Sequence, residues 1–217
     1  MTRSLVSSPA GDVSLVVDGS DDPSQVLVLA HGAGAPMDSD FMDFFAGALS
    51  TDRRAVARFN FAYMEEGRRS PGSPKASEDT YEAVLQHLRK ELSPATLFIG
   101  GKSYGGRMAS HLAVHGAEID GLVFLGYPLH APGQPENIRD GHLKDITVPM
   151  LFVEGTRDPF CPLATLEKVR KKLARSDLIV VEDGDHSLKV RPASGRSTKE
   201  AWAEAATGIS EWLDAVP

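Results

Sequence analysis

The sequence predicts an α/β fold: a single, mostly parallel sheet with helices on both faces and two short antiparallel strands at its start. Three observations carry that expectation. Short continuous apolar runs, such as QVLVLA at 25–30 and VPMLFVEG at 148–155, suit strands buried on both faces. Segments of helical periodicity alternate with these runs, which calls for crossover connections between parallel strands. Ahead of them, two runs of alternating character, Ser4–Ser7 and Val13–Val17, are joined by the turn signal SPAG and read as a hairpin.

The elements follow in order. QVLVLA breaks on the glycines of HGAG, and RAVARFNF at 54–61 reads as the next strand. Between them Phe41, Met42, Phe44 and Phe45 form the inner face of a short helix after MDSD. EEGRRSPGSPKASED at 65–79 is a polar loop rich in Pro, Gly and Ser, with Arg68 and Arg69 near the mouth of any site. It leads into a helix over 77–92, capped by Ser77 or Asp79, with Tyr81, Val84, Leu85 and Leu88 inward. ATLFIGG at 95–101 is a strand, and YGGRMASHLAVHG at 104–116 a helix ending on Gly116. IDGLVFLGYPL and VPMLFVEGTRD supply two more strands. PLATLEKVRKKLA is a helix opened by Pro162, with Leu166, Val169 and Leu173 as its apolar face. SDLIVVEDGDH is the last strand, and the segment 197–216 the closing helix.

A chain of 217 residues reads as one domain spanning 1–217. The net charge of −7 argues against binding nucleic-acid backbones. The basic run KVRKKLARS reads as a solvated helix face. Cys161 stands alone, so neither a disulfide nor a CxxC metal site is available, and it reads as a small buried hydrophobe. No signal peptide and no run of membrane-spanning length is present, so the expectation is a cytoplasmic protein without a membrane partner. No metal or organic cofactor is implied, and the oligomeric state is open.

In open α/β sheets ligands bind beyond the carboxyl ends of the strands, so the residues just after each apolar run are the ones to inspect. GKSYG matches G-x-S-x-G between a strand and a helix, where glycines permit a sharp turn that lifts the Ser103 hydroxyl. A serine needs a base, and the base an orienting acid. His186 in EDGDHSL is the natural base and Asp158 in EGTRDPF the natural acid, in the chain order Ser, Asp, His. Asp145 and Asp185 are rival acids; His31, His111, His115 and His130 are rival bases. Of these, His31 reads as a brace for its glycine turn, and His111 and His115 sit on the helix after Ser103. An oxyanion hole needs two backbone N–H groups, expected from Tyr104 and from Ala33, with Gly32 shaping the bend. His130, Tyr63, Met64 and Arg107 are candidates for a substrate pocket.

HGAG, GKSYGG, GTRD and GDH together resemble the α/β-hydrolase superfamily. The longer strings LAHGAGAPMDSDFM, GKSYGGRMAS, GYPLHAPG and GTRDPF resemble a small branch near the dienelactone hydrolases, that of the testis-expressed protein 30-like predicted hydrolases. The likeness runs from about Val26 to the last helix. It implies the α/β-hydrolase fold, hydrolase chemistry, and the nucleophile, acid and base roles of Ser103, Asp158 and His186. Dienelactone hydrolases proper use a cysteine nucleophile, so their substrate is not carried over. From Pro128 to Thr147 there is room only for a loop and one helical turn, so no lid domain is expected. An open site without a lid suits small or short-chain esters or thioesters. The alternative is a non-catalytic interaction scaffold on the same fold, and one member of the branch belongs to a chromatin complex.

Overall fold

The structure is a computed structural model describing residues 1–216. Its strands are β1 (Thr2–Ser8), β2 (Gly11–Asp18), β3 (Gln25–Ala30), β4 (Arg54–Phe59), β5 (Thr96–Lys102), β6 (Gly121–Leu125), β7 (Met150–Gly155) and β8 (Ser176–Val181). They form one sheet in the order β1-β2-β4-β3-β5-β6-β7-β8. The hairpin β1–β2 joins β4 antiparallel, and every pair from β4 to β8 is parallel. The predicted mixed sheet of the α/β-hydrolase type, without a lid domain, is therefore present. Between β6 and β7 the only helical turn is the 3-10 segment Leu143–Asp145.

Among the described residues, six α-helices flank the sheet: α1 (Asp40–Leu49), α2 (Ala62–Glu65), α3 (Pro74–Leu92), α4 (Tyr104–Val114), α5 (Leu163–Arg170) and α6 (Thr198–Ala215). On one face Phe45, Leu49, Ala205, Ile209 and Leu213 of α1 and α6 pack on Leu27, Leu125 and Val153. On the other, Tyr81, Leu85, Met108 and Leu166 of α3, α4 and α5 pack on Val28, Ile99 and Phe124. Burial on both faces explains why the central strands read as unbroken apolar runs.

Two helices differ from expectation. The helix expected from residue 77 begins at Pro74, with Ser73 at the N-cap. Proline suits the first helical position, where its missing N–H costs nothing. Ser77 is thus buried inside α3 and receives the Tyr104 hydroxyl at 3.0 Å, and Asp79 pairs with Lys75. The helix opened by Pro162 stops at Arg170, because Lys172 and Leu173 turn back onto Val169 O and Arg170 O.

The register sets the site. Ala30 lies opposite both Phe59 and Gly101, Lys102 opposite Leu125, Leu125 opposite Val153, and Gly155 opposite Val181. The carboxyl ends of β3 to β8 thus form one rim. Chain order reverses at β3, which lies between β4 and β5, the kind of switch point where α/β sheets open a crevice.

Candidate functional site

Ser103 stands between the end of β5 and the first residue of α4, at φ +50° and ψ −111°. A non-glycine residue rarely adopts such a conformation, which costs on the order of 1–3 kcal/mol and persists only where its surroundings enforce it. They do so here. The Ser103 N–H donates to Leu125 O at 3.0 Å, and its carbonyl receives Arg107 N–H at 3.0 Å. Gly105 lets α4 approach the end of β3: a Cβ there would lie 2.2 Å from Ala30 O.

Asp158 follows β7 in a turn closed by its own N–H on Gly155 O. Its Oδ1 accepts the Phe160 N–H at 2.8 Å, and its Oδ2 lies 2.7 Å from His186 Nδ1. His186 Nε2 lies 2.8 Å from Ser103 Oγ. A carboxylate can only accept, so Nδ1–H donates to Asp158, and Nε2 is left bare facing the Ser103 hydroxyl. Burial lowers the His186 pKa, as does Lys102 to a lesser degree, while the bond to Asp158 opposes the shift. The loops carrying Asp158 and His186 are tied together by Arg157, whose N–H donates to Gly184 O and whose Nε donates to Asp183 O.

The rival candidates have other places. Asp185 Oδ1 receives the N–H groups of Ser187 and Lys189 and so folds the loop around His186. Asp145 ends the 3-10 turn before β7. His111 bonds to Glu78, and His115 lies 3.8 Å from it. His31 braces its glycine turn: its Nδ1–H donates to Gly32 O at 2.7 Å, and Nε2 accepts the Phe61 N–H at 3.1 Å. Burial lowers its pKa to about 4, which matches this neutral form.

Gly32, Ala33, Lys102, Ser103 and His186 open on one cleft of about 1070 Å³. Phe41 and Phe44 of α1 and Trp202 of α6 form an aromatic wall to it, with ring centroids 5.2 and 5.3 Å from Trp202. Among the described residues, the Ala33 and Tyr104 N–H groups have no hydrogen-bond acceptor.

The four residues expected at the pocket stand away from this cleft. Tyr63 is buried against His31 and Phe61 and faces a separate cavity of about 120 Å³. Met64 packs on the core beside it. Arg107 lies half-buried on α4, its Nε enclosed without a partner. His130 has both ring nitrogens against carbonyls, of Ala131 and Pro159, and backs the Asp158 loop through Phe160. Each is turned inward by packing that a position near a strand end does not reveal.

Two buried charged residues, Lys102 and Glu154, stand beside the site without a motif in the sequence to mark them. Lys102 lines the cleft with His186, its Nζ 5.8 Å from the centroid of the Phe41 ring, with no carboxylate within 4.0 Å among the described residues. Burial lowers its pKa to about 8, opposed by Asp158, Glu154 and Asp185. Glu154, near the end of β7, is fully buried; its Oε1 receives the Tyr127 N–H at 2.5 Å and its Oε2 has no donor. The available signal was a charge inside an apolar strand run, LFVEG, and another within the glycine turn, GKSYG. No three His, Cys, Asp or Glu side chains among the described residues are grouped as metal ligands. No helix among them is long and apolar enough to cross a membrane.

A family profile described as "Alpha/beta hydrolase domain" matches residues 23–214. Among solved structures, the chain is similar to an a/b serine hydrolase without lid from Xanthomonas campestris, at 19% identity and TM-score 0.77. That likeness covers 100% of this chain and 96% of the other. It is also similar to a dienelactone hydrolase from Anabaena variabilis, at 17% identity and TM-score 0.78, over 99% and 97% of the two chains. An alpha-beta serine hydrolase homologue from Coxiella burnetii gives 16% identity and TM-score 0.75, over 98% and 95%. At these identities the likeness speaks for the fold.

Proposed function

Because the chain belongs to the alpha/beta hydrolase domain family, we propose that it is a serine hydrolase acting on ester or thioester bonds through Ser103, His186 and Asp158. The observation that carries this reading is the continuous line of hydrogen bonds, 2.8 Å from Ser103 Oγ to Nε2 and 2.7 Å from Nδ1 to Asp158. Ser103 Oγ attacks the carbonyl carbon while its proton passes to His186 Nε2. Asp158 holds the ring and stabilises the imidazolium that forms. Collapse of the tetrahedral intermediate expels the alcohol or thiol, which takes the proton from Nε2. Water then attacks the acyl-serine with His186 as base, and the acid is released.

The developing oxyanion is held by the N–H groups of Ala33 and Tyr104, with Gly32 bending the first of these turns. Their lack of other acceptors, and the start of α4 at Tyr104, support that role. Positioning of this kind costs no reorganisation during the reaction.

The substrates are small or short-chain acyl compounds, a reading supported by the missing lid between β6 and β7. The aromatic wall of Phe41, Phe44 and Trp202 offers a surface for the apolar part of either the acid or the leaving group. The folding unit is the whole chain. The resemblance to the testis-expressed protein 30-like branch rests on its sequence strings and brings no substrate with it.

A fluorophosphonate probe tests the proposal. The wild-type protein becomes labelled, Ser103→Ala does not, and p-nitrophenyl acetate is hydrolysed in the same pattern. An unlabelled, inactive wild type would favour a scaffold on the hydrolase fold. In a chain-length series kcat/KM falls beyond short acyl groups; a rise toward long chains would overturn the size assignment.

A further inference from the structure

Beneath the hydrogen-bonded line lies a second carboxyl group that the mechanism above does not use. Glu154 is fully buried near the end of β7, four residues before Asp158, and the Asp158 carboxyl group is its charged neighbour in the interior. One Glu154 oxygen, Oε1, is occupied by the Tyr127 N–H. The other, Oε2, receives no donor. Asp158 in turn accepts from Phe160 N–H and from His186 Nδ1. Two ionised carboxylates facing each other in a dry interior repel, and neither has a proton to offer.

We propose that Glu154 is a neutral carboxylic acid that donates its Oε2 proton to the Asp158 carboxylate, making it a positioning residue one hydrogen bond behind His186. This rests on the serine-hydrolase reading for its consequence, though not for the proton itself. The assignment removes the orphan: an ionised Glu154 leaves Oε2 buried with only the weak Cys161 thiol as a neighbouring donor, whereas a protonated one turns it into a donor facing the Asp158 carboxylate.

The surrounding charges agree. The groups facing Glu154 are Lys102 at the end of β5, the Tyr127 amide after β6, and Asp158 and the Cys161 thiol from the loop after β7. Burial pushes the Cys161 thiol up, so it is neutral. Among the described residues Lys102 is then the single cation facing the two carboxyl groups, enough for one negative charge, and Asp158 takes it. No cation lies within 4.0 Å of Glu154 among the described residues. Burial, reinforced by Asp158, holds the Glu154 carboxyl well above the usual carboxylate range.

The bond adds to the Phe160 N–H in holding the Asp158 carboxyl with Oδ2 on Nδ1. It also spreads the Asp158 charge, which keeps the ring proton on Nδ1 and Nε2 bare for serine.

The experiment compares Glu154→Gln, which keeps a neutral donor, with Glu154→Leu, which has none. Glu154→Gln should hold kcat within about 3-fold of wild type. Glu154→Leu should lose about 10–100-fold in kcat with KM little changed, as when an orienting partner behind a functional histidine is removed, and should shift the acid limb of its pH profile. Infrared difference spectra of wild type against Glu154→Gln at pH 7 should contain a protonated-carboxyl band assignable to Glu154. That band reads the proton without activity, so it still decides if Glu154→Leu fails to fold or if the wild type hydrolyses no ester. Absence of the band, or a Glu154→Gln enzyme as impaired as Glu154→Leu, would overturn the assignment.

Discussion

Replacing Gly105 with alanine would put a methyl carbon 2.2 Å from Ala30 O, 2.6 Å from Ala30 C and 2.7 Å from His31 O. All three are backbone atoms at the end of β3, with no side chain to swing aside, and ordinary contact begins near 3.4 Å. The start of α4 and the end of β3 must therefore part by about 1 Å, and overpacking of this kind costs about 1–3 kcal/mol. For a chain of this size that lowers Tm by roughly 3–10 °C. The same displacement moves Ser103 and Tyr104 away from the turn that holds Ala33. A misplacement of about 1 Å costs on the order of 100-fold in rate where reacting groups must be aligned. The assay pairs a circular dichroism melt with kcat/KM on p-nitrophenyl acetate and the rate of fluorophosphonate labelling. Gly47→Ala serves as the control, because a Cβ there meets nothing within 4 Å. It should leave activity unchanged and raise helix stability by up to about 1 kcal/mol. A Gly105→Ala protein with unaltered Tm and kcat/KM within about twofold would refute the steric argument.

Three further outcomes follow. Asp158→Asn keeps the shape of the site but presents an amide to Nδ1, so the wrong ring tautomer is favoured; kcat should drop by roughly 10³–10⁴-fold, with the melt showing a folded protein. The His186 pKa is lowered by burial, and the base works only when unprotonated, so the acid limb of kcat/KM against pH should have its midpoint below the ordinary 6.5; a midpoint above it would contradict the assigned environment. His31 has a folded-state pKa of about 4 against 6.5 unfolded, so the unfolded chain binds more protons between those values and stability falls as pH drops. The loss should reach about 3 kcal/mol in urea titrations between pH 6.5 and 4, and should shrink in His31→Gln.

Much of this arrangement was legible in the residues because the signals were local. Apolar runs buried on both faces marked β3, β5, β6 and β7, and glycines next to Ser103 marked the turn after β5. What misled was any inference about direction. Tyr63, Met64, Arg107 and His130 follow strand ends, yet packing turns them away from the cleft. The sequence places Phe41 and Phe44 on a helix's inner face, and they also wall the cleft because the start of α1 meets α6 there. The early start of α3 was readable in SPKA, where proline favours the first helical position, but the polar loop around it masked the boundary.

By itself the sequence determined the strands, the rim on which functional loops gather, and the types of group present there, since each depends on a few neighbouring residues. Only the tertiary structure decided which acid and which histidine meet Ser103. That choice depends on the parallel register that brings residues 83 positions apart to 2.8 Å. It alone also buried the Glu154 carboxyl group near the end of β7, and the ionisation of such a group is set by what surrounds it in space, which the chain's order does not encode locally.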